Sequence, residues 1–550
     1  MTFRLPSVPR ATLLLALTFA LLSLFPYVLH PLSSSYEGLT VIRDKDYGNY
    51  FGRLERALSG HFREASNGIT PVGSGIEGAQ NAGLEIALGA LFSWTTLPAP
   101  TLSVLLTPLF VFLFCLLLFA LFRVLEFSER LSLTLTAVYV FLLLHVVLRV
   151  MHPGWSFVPA LAALVSFFHF IKKPTATLAV CTGILLGLLP SIYLWSWTYV
   201  WAVVGSFVGF SVLIKKQEGN SQFSILNSQF FTLVIVTLLV SLPFFLHLQE
   251  LTQHPLYDTV ALRGGFLHTR SVESLPRSLL LLLQAFLFLS LFPQKKKEWS
   301  YIIVLSLLLG ILIAMHQNLV HGTLLMFSSH FYPHLVLSTT AVLGYVLSRT
   351  VPPLQKYTIA GISLLFLAGA AYDYLPGYIF FVPDSDHYRD QLLAEPIQLL
   401  RDNGTRDTVL TDASTGRVLT SFTDEGIVYT THTRFLFLSD EEMAERYCLS
   451  QLFAPDPPDA YRALYMEYNA VLDSPQMRAR EETLVSDACR AVRADPLPYL
   501  RTYGVTHVLW NQERQPEWLI TRYPLPLTVL ASSNRWLLLQ LAGDDKHIVP

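Results

Sequence analysis

The chain has 550 residues, of which 52% are hydrophobic and only 14% charged, with a formal net charge of -2 and a mean hydropathy of +0.45. A soluble globular chain carries roughly a quarter charged residues, so this composition argues against a protein that is soluble throughout. The near-neutral charge, with no basic stripe of interleaved aromatics, argues against nucleic acid as a partner.

The apolar residues are concentrated in the first two thirds of the chain. Apolar runs of about 18 or more residues recur there, and each can cross a hydrocarbon core of roughly 30 Å. We therefore predict a polytopic α-helical membrane protein with about eleven transmembrane helices over residues 1–375, followed by a soluble α/β domain over residues 376–550. The predicted spans are residues 11–30, 101–122, 132–149, 155–171, 175–191, 197–214, 228–246, 278–292, 299–315, 332–348 and 357–374.

Basic residues in alternate connections give the predicted orientation. Basic residues near helix ends mark the cytoplasmic side of a membrane protein. The first outer loop, residues 31–100, and the C-terminal domain are then extracytoplasmic, in a plasma or inner membrane with the N-terminus in the cytoplasm. The basic connections contain Arg4 and Arg10, Arg123 and Arg130, Lys172 and Lys173, Lys215 and Lys216, Lys295 to Lys297, and Arg349 and Lys356.

The first run is predicted to be an uncleaved helix, because no small-residue cleavage site follows it. Within the first outer loop, Ala82 to Thr96 is apolar but too short to span a membrane. It is either an amphipathic helix in the outer interface, with Trp94 among the headgroups, or an extension of the next span.

The C-terminal region alternates helical and strand-like patterns, which predicts an α/β fold. Strands are expected at 408–410, 426–430 and 504–510, and helices at 392–401, 439–447 and 460–468. Cys448 and Cys489 lie in this region without the spacing of a metal site, and they pair if the region lies in an oxidising compartment.

Two carboxylates, Asp44 and Asp46, follow the first span by about a dozen residues. A pair at i and i+2 shares one face of an extended chain, and it can bind a divalent cation or act as a general base. The alternative is that an aspartate caps the helix predicted over residues 47–58.

The segment DKDYGNYFGRLERALSGHF, residues 44–62, resembles the pattern DxDYxxYxxRxxxALxGH of prokaryotic C-type (GT-C) membrane glycosyltransferases. This superfamily includes protein mannosyltransferases, aminoarabinose lipid transferases and oligosaccharyltransferase catalytic subunits. An acidic pair soon after the first helix, followed by an interface helix, is its signature. Three further segments support the resemblance: Arg149 to Pro153, His316 to Tyr332, and Tyr499 to Leu509.

The resemblance implies a GT-C-like fold and transfer of a sugar from a polyprenyl-phosphate carrier to a glycan, lipid or protein acceptor at the extracytoplasmic face. The first-loop carboxylate is then the general base, with Asp46 preferred to Asp44 because it adjoins the predicted helix. The charge of the phosphate leaving group would be stabilised by cations or hydrogen-bond donors in the outer loops. They are Arg149, His152, Arg263, Arg270, Arg277, His316, His321, His330 and Tyr332. Each has an alternative role in packing or in binding lipid headgroups.

No metal is certain from the sequence. The histidines lack zinc-ligand spacing. Mg²⁺ or Mn²⁺ at Asp44 and Asp46 stays open, because some GT-C enzymes need a metal and others do not. Glu77 and Glu85 are candidates for a second acidic element, and a solvated helix face explains Glu85 equally well. The aromatic segment 191–201 is either an interfacial belt or a wall for the prenyl chain.

Two other classes of function compete with the transferase. A transporter or flippase of lipid-linked glycans places charged residues inside its helices near the membrane midplane. Here the ionisable residues inside apolar runs are few, among them His145 and His169. A non-catalytic envelope protein that binds glycans or partners needs neither aspartate of the pair.

Overall fold

The computed structural model describes residues 9–32, 35–40, 47–61, 82–143, 152, 154–218, 228–264, 266–270, 275–291, 298–325, 328–349, 389–403, 406–455 and 475–542, with a few isolated positions between these ranges. Within these ranges the chain is mostly helical.

The helices are numbered here in chain order. They are α1 (Arg10–Leu29), α2 (Tyr47–Leu58), α3 (Gly83–Phe92), α4 (Ala99–Val124), α5 (Glu129–Leu142), α6 (Phe157–Lys172), α7 (Ala176–Ile192), α8 (Leu194–Glu218), α9 (Ser228–Thr252), α10 (Tyr257–Arg263), α11 (Leu275–Leu291), α12 (Trp299–His316), α13 (Asn318–His321), α14 (Tyr332–Ser348), α15 (Ala394–Asn403), α16 (Ala413–Phe422), α17 (Asp440–Ser450), α18 (Pro475–Ala494) and α19 (Pro496–Thr502).

The chain divides into two compact units, each built from separate stretches of sequence. Unit 1 comprises Met1–Pro26, Val104–Gln249 and His268–Val382, and unit 2 comprises Tyr27–Ser103, Glu250–Leu267 and Pro383–Pro550. Unit 2 thus contains the predicted C-terminal domain together with Tyr27–Ser103 and Glu250–Leu267. The boundary predicted at residue 375 had placed these two stretches in the membrane domain.

Unit 1 is a bundle of apolar helices. Five helices among the described residues are long and apolar enough to cross a membrane, namely α1, α4, α8, α9 and α12, and shorter apolar helices such as α6, α7 and α11 accompany them. The protein is therefore a multi-pass membrane protein. Ten of the predicted spans coincide with a helix, whereas most of residues 357–374 lie outside the described residues, so the count of eleven stays a prediction.

Small residues let these helices approach closely. A Cβ built at Gly310 of α12 would lie 2.4 Å from Val203 Cγ2 of α8, and one at Gly187 of α7 would lie 2.7 Å from Val240 Cβ of α9. Lipid offers no hydrophobic driving force between helices, so close packing of this kind is what holds a membrane bundle together.

Unit 2 contains a five-stranded sheet of order β4-β3-β5-β7-β6. The central strand of its parallel part is β3 (Thr408–Leu410), which pairs with β4 (Gly426–Ile427) on one side and with β5 (His507–Asn511) on the other. The hairpin of β6 (Leu527–Ser532) and β7 (Trp536–Leu541) adds to β5 in antiparallel orientation. Two further short strands are β1 (Phe266–His268) and β2 (Thr323–Leu325).

Strands predicted at 408–410 and 504–510 are confirmed as β3 and β5, and the strand predicted at 426–430 is confirmed only over Gly426–Ile427, as β4. The helices predicted at 392–401 and 439–447 are confirmed as α15 and α17. The helix predicted at 460–468 lies outside the described residues. Side-chain caps fix two helix starts: Asp412 accepts hydrogen bonds from the first turn of α16, and Ser439 from that of α17.

A disulfide joins Cys448 of α17 to Cys489 of α18, across 41 residues of sequence. Both cysteines lie in the hydrophobic core of unit 2. The pairing that the sequence left open is therefore present. Disulfides persist in oxidising compartments, and they stabilise a fold mainly by restricting its unfolded chain.

We expect the Cys448→Ser/Cys489→Ser variant to lose about 4 kcal/mol of unit 2 stability, the chain-entropy value for a loop of this length. Hydrogen exchange of the amides of α17 and β5 in the full chain measures the change. Cys181→Ser, which removes an exposed free thiol, is the control. Unchanged protection in the double variant would contradict the assignment of a stabilising bond.

Candidate functional site

Helix α2 begins at Tyr47, directly after the aspartate pair in the sequence. Asp44 and Asp46 themselves lie outside the described residues. From Phe51 to Leu58 every residue of α2 is buried, including the charged side chains of Arg53, Glu55 and Arg56. A buried charge is tolerated only when it is paired and hydrogen-bonded, so the partners of these three residues show what holds the helix.

The partner of Arg53 is Glu85 of α3. Arg53 Nη1 lies 3.8 Å from Glu85 Oε1, and both side chains are almost fully buried. The guanidinium of Arg53 also lies 5.4 Å from the centre of the Tyr50 ring. Glu85 is therefore buried, and the alternative interpretation that it lies on a solvated helix face is wrong. The other acidic candidate, Glu77, lies outside the described residues.

Helices α2 and α3 touch at a glycine. A Cβ built at Gly89 would lie 2.3 Å from Ala57 Cβ, so glycine is required for this approach. Helix α3 ends at Phe92 and α4 begins at Ala99, which makes α3 a separate helix rather than a continuation of the next span. Its other face exposes Ile86, Leu91 and, beyond its end, Trp94.

The far end of α2 is held by the region around α16. Arg56 Nε lies 3.9 Å from Asp424 Oδ1, and His61 Nδ1 lies 3.1 Å from Asp424 Oδ2. Gly60 has a φ of +88°, a conformation that glycine adopts without steric cost, and it turns the chain so that His61 follows the helix directly. Near the helix start, a Cβ at Gly48 would lie 3.1 Å from Arg417 Cβ of α16.

The described residues of the GT-C-like segment thus have identifiable structural roles. Arg53 pairs with Glu85, Ala57 meets Gly89, Gly60 turns the chain and His61 binds Asp424. These contacts fix α2 within unit 2, and the first residue of the helix directly follows Asp46 in the sequence.

Glu55, the third buried charged residue of α2, caps another helix. Its Oε2 accepts a hydrogen bond of 2.6 Å from the backbone N–H of Ala99, the first residue of α4, and its Oε1 lies 3.7 Å from Arg401 Nη1. Burial outweighs these favourable contacts and raises the pKa of Glu55 to about 7. Burial likewise raises the pKa of Glu425, whose carboxylate accepts from the Asp407 N–H, to about 8.

These two shifts predict how the stability of unit 2 depends on pH. Because both pKa values are raised above the ordinary glutamate value of 4.5, the folded state holds more protons than the unfolded state between pH 4.5 and about 8. The free energy of unfolding should therefore decrease as the pH rises through this window. Glu425→Gln should flatten the decrease, measured as amide protection of β3 and β4 at pH 5 and pH 8.

Glu441→Gln is the matched control, because hydrogen bonds from its own N–H and from Ser439 lower the pKa of Glu441. This variant should leave the slope between pH 4.5 and 8 unchanged. An unaltered slope in Glu425→Gln would show that the raised pKa of Glu425 does not control the pH dependence.

Gly89→Ala tests the α2–α3 contact. The added methyl group has no room beside Ala57, so the helices must separate and the Arg53–Glu85 pair must lengthen. Overpacking of this kind costs about 1–3 kcal/mol. Hydrogen exchange of the α2 amides should accelerate accordingly, whereas Gly205→Ala, where a Cβ meets no atom within 4 Å, should leave it unchanged.

In unit 1, two predicted histidines meet in one cluster. The ring of His152 stacks on that of Tyr193 with centroids 4.7 Å apart, and the Tyr193 hydroxyl is hydrogen-bonded to His330 Nδ1. His330 also stacks on Trp195, with centroids 4.5 Å apart. We call His152, Tyr193, Trp195 and His330 the His–aromatic cluster. Tyr193 and Trp195 of the predicted aromatic belt thus have specific ring contacts with histidines.

A second group lies at the start of α11 and α14. The guanidinium of Arg277 is 4.4 Å from the centre of the Tyr332 ring. His316 Nε2 is 2.6 Å from Ser278 Oγ, and its Nδ1 is 2.8 Å from the Leu312 carbonyl oxygen. Because a carbonyl oxygen only accepts, Nδ1 of His316 carries the hydrogen, and both ring nitrogens are engaged by the protein.

Arg270 and His321 are the exposed predicted donors of unit 1 among the described residues. A Cβ built at Gly322, which has a φ of +81°, would lie 3.5 Å from Arg270 Nε, so the arginine lies beside the turn that follows His321. His321 Nδ1 accepts a hydrogen bond of 3.2 Å from the Thr323 N–H.

Arg263 has a different environment, in unit 2. It is fully buried, its Nε lies 3.2 Å from Asp440 Oδ1, and its Nη2 donates to the Leu438 carbonyl oxygen. These bonds hold α10 to the start of α17. Its role in phosphate binding stays a prediction, as does that of Arg149, which lies outside the described residues.

The sequence analysis missed His334 and Ser278. His334 is fully buried, stacks on Tyr199 with centroids 4.4 Å apart and lies 3.5 Å from Ser196 Oγ through its Nε2. His334 lies in the first turn of α14, whereas His330 lies in the 3-10 turn Ser328–Phe331 that precedes this helix. For metals, no group of three or more His, Cys, Asp or Glu side chains within the described ranges could hold an ion.

No family model and no curated protein matches the sequence. Solved structures do resemble it. The Archaeoglobus fulgidus oligosaccharyltransferase matches in its apo form with 13% identity, covering 91% of this chain and 70% of that one, at a TM-score of 0.48. Its complex with zinc and sulfate matches at a TM-score of 0.47, with 13% identity over 91% and 68% of the two chains.

ArnT from Cupriavidus metallidurans, solved with bound undecaprenyl phosphate, matches with 11% identity over 98% of this chain and 99% of that one, at a TM-score of 0.46. These neighbours are GT-C glycosyltransferases, the superfamily that the sequence resembles. The identities and TM-scores are too low for the likeness to carry a function across.

Proposed function

We propose that this protein is a GT-C-type glycosyltransferase that moves a sugar from a polyprenyl-phosphate carrier to an acceptor at the extracytoplasmic membrane face, with Asp46 or Asp44 as the general base. The observation that carries the proposal is the anchoring of α2. Paired buried charges and a glycine contact fix this helix, and the GT-C-like aspartate pair directly precedes it in the sequence.

In the proposed reaction, a hydroxyl oxygen of the acceptor attacks the anomeric carbon of the donor sugar. The new C–O bond forms as the bond between that carbon and the lipid phosphate oxygen breaks. The hydroxyl proton passes to the aspartate carboxylate, and the polyprenyl phosphate leaves with the electron pair. A carboxylate next to a fixed helix end has little conformational freedom to lose when it binds the acceptor.

Departure of the phosphate is favoured by hydrogen-bond donors and cations near its oxygens. Unit 1 offers Arg270, Arg277 and the His–aromatic cluster for this role. These residues stand at the starts of α6, α8, α11 and α14 and at the ends of α7 and α12. The topology predicted from the basic connections assigns these helix ends to the extracytoplasmic side.

The orientation has independent support from the disulfide. Cys448 and Cys489 pair within unit 2, and such bonds are rare in reducing compartments. The exposed apolar face of α3, with Leu91 and Trp94, suits a helix lying in the outer membrane interface.

A transporter is the weaker candidate. In the described helices of unit 1 the charged side chains gather at the ends, as with Arg123 in the last turn of α4 and Arg277 in the first of α11. Transport sites instead place charges near the membrane midplane. The envelope-protein alternative requires that the aspartates be dispensable, so the same variants test it.

The decisive measurement is sugar transfer by the full chain in lipid nanodiscs, with undecaprenyl-phosphate-linked hexoses and pentoses as donors and release of undecaprenyl phosphate as the readout. Asp46→Asn should slow transfer by about 10²- to 10⁴-fold, the usual contribution of a general base. Asp44→Asn should have the smaller effect. Asp487→Asn, on the exposed surface of α18, is the matched control.

The Asp44→Asn and Asp46→Asn variants should insert into the membrane and unfold at the wild-type temperature, because neither substitution removes one of the described contacts of α2. Full activity in the Asp44→Asn/Asp46→Asn variant would refute the assigned base. Should the wild type itself transfer no sugar from any donor of the panel, an envelope-protein function would be favoured.

A further inference from the structure

At the predicted cytoplasmic end of unit 1 lies a cavity of about 600 Å³. The last turn of α4, the turn that follows it, the start of α5 and the end of α14 form its walls. The cavity lies entirely within unit 1, at the opposite helix ends from the His–aromatic cluster, and the proposed transferase reaction does not use it.

The lining is strongly basic. Arg123, Arg130 and Arg349 face one carboxylate, that of Glu126. Glu126 is also engaged from outside the lining, because its Oε1 accepts a hydrogen bond of 2.8 Å from Lys172 Nζ. The ammonium group of Lys172 offsets the negative charge of Glu126, so the cavity keeps an excess of positive charge.

Two of the arginines are held in position by the protein. Arg349 Nη2 lies 2.8 Å from Glu298 Oε2 and donates a hydrogen bond of 3.1 Å to Ser300 Oγ, while Arg123 Nη1 donates to the Phe127 carbonyl oxygen. Arg130 is exposed, in the first turn of α5. In the part of the chain that the structure describes, only Arg349 of the three has a carboxylate partner, so the cavity retains cationic donors for a ligand.

The hydroxyl of Ser128 adds a neutral donor. Its Oγ accepts a hydrogen bond of 3.3 Å from the Leu131 N–H at the start of α5, which leaves its own hydrogen free for a ligand oxygen. The remaining lining includes the apolar side chains of Phe127, Leu131 and Leu347, of which Leu347 is 45% exposed. Thr134 and Ser348 also line the cavity, and their hydroxyl groups donate to backbone carbonyl oxygens. The site thus combines guanidinium and hydroxyl donors with an apolar side.

We propose that this cavity binds the phosphate headgroup of an anionic membrane lipid, with the guanidinium groups of Arg123 and Arg130 on the phosphate oxygens and the glycerol and upper acyl chain against Leu131 and Leu347. Guanidinium groups bind phosphate through paired hydrogen bonds, and basic pockets between helices on the cytoplasmic side hold acidic headgroups. A soluble phosphate ester would share the arginines but would leave the apolar side without a partner.

The test is lipid retention by the full chain. It is measured by native mass spectrometry and by thermal unfolding in nanodiscs of phosphatidylcholine, with or without phosphatidylglycerol as the anionic lipid. The wild type should retain phosphatidylglycerol preferentially and unfold at a higher temperature when it is present. Arg130→Gln and Arg123→Gln should each weaken retention by about fivefold, the effect of about one basic contact.

Lys173→Gln is the matched control, because it removes an exposed positive charge near the same helix ends but outside the cavity lining. It should retain the lipid as the wild type does. Arg130→Gln should also unfold like the wild type in pure phosphatidylcholine, which separates loss of binding from misfolding.

Equal weakening in Lys173→Gln would overturn the proposal, since it would reduce the effect to general surface charge. Stabilisation of the wild type by sn-glycerol 3-phosphate or inorganic phosphate to the same extent as by phosphatidylglycerol would overturn the assignment to a lipid and identify a soluble phosphate site. Indifference of the wild type to phosphatidylglycerol would refute both.

Discussion

Helix α2 carries three charged side chains into a region that water does not reach, and the structure around it supplies a partner for each. Arg53 meets Glu85, Arg56 meets Asp424, and Glu55 meets both Arg401 and the first N–H of α4. Removing one member of such a pair leaves an uncompensated buried charge, which costs more than the pair contributes. The start of α2 is therefore fixed by interactions that cannot be lost one at a time without penalty.

The need for a partner to the buried charge of Arg53 explains two residues of α3, Glu85 and Gly89. Helix α3 must present Glu85 to Arg53, and it must come close enough to do so, which requires Gly89 against Ala57. Its opposite face is apolar and exposed, as Ile86 and Leu91 show. One short helix thus satisfies a buried ion pair on one side and offers an apolar surface on the other.

Much of this could be predicted from the sequence, for physical reasons that differ from element to element. The apolar runs predicted the helices of unit 1, because length and hydropathy alone decide whether a segment suits a membrane. Strands β3 and β5 were predicted because buried strands have short runs of branched and aromatic residues. The β6–β7 hairpin was missed: Leu527 to Ser532 has no strict alternation, and its pairing with β7 contains an irregularity.

The site was less predictable. The aspartate pair was recognised by pattern, but the burial of Glu85 could not be, since an acidic residue in an apolar helix gives no sign of its partner. Arg263 illustrates the opposite case, because an arginine in a predicted outer loop proved to be buried against Asp440. Pairing across 177 residues of sequence is a property of the folded chain that no local pattern encodes.

The disulfide between α17 and α18 has a consequence for how this region can vary. Because Cys448 and Cys489 are joined, a cut of the chain between them leaves both pieces covalently attached, and they separate only under reduction. The entropy of closing a loop grows only with the logarithm of its length. An insertion in the connection between α17 and α18 should therefore add little to the entropic cost of closing this loop.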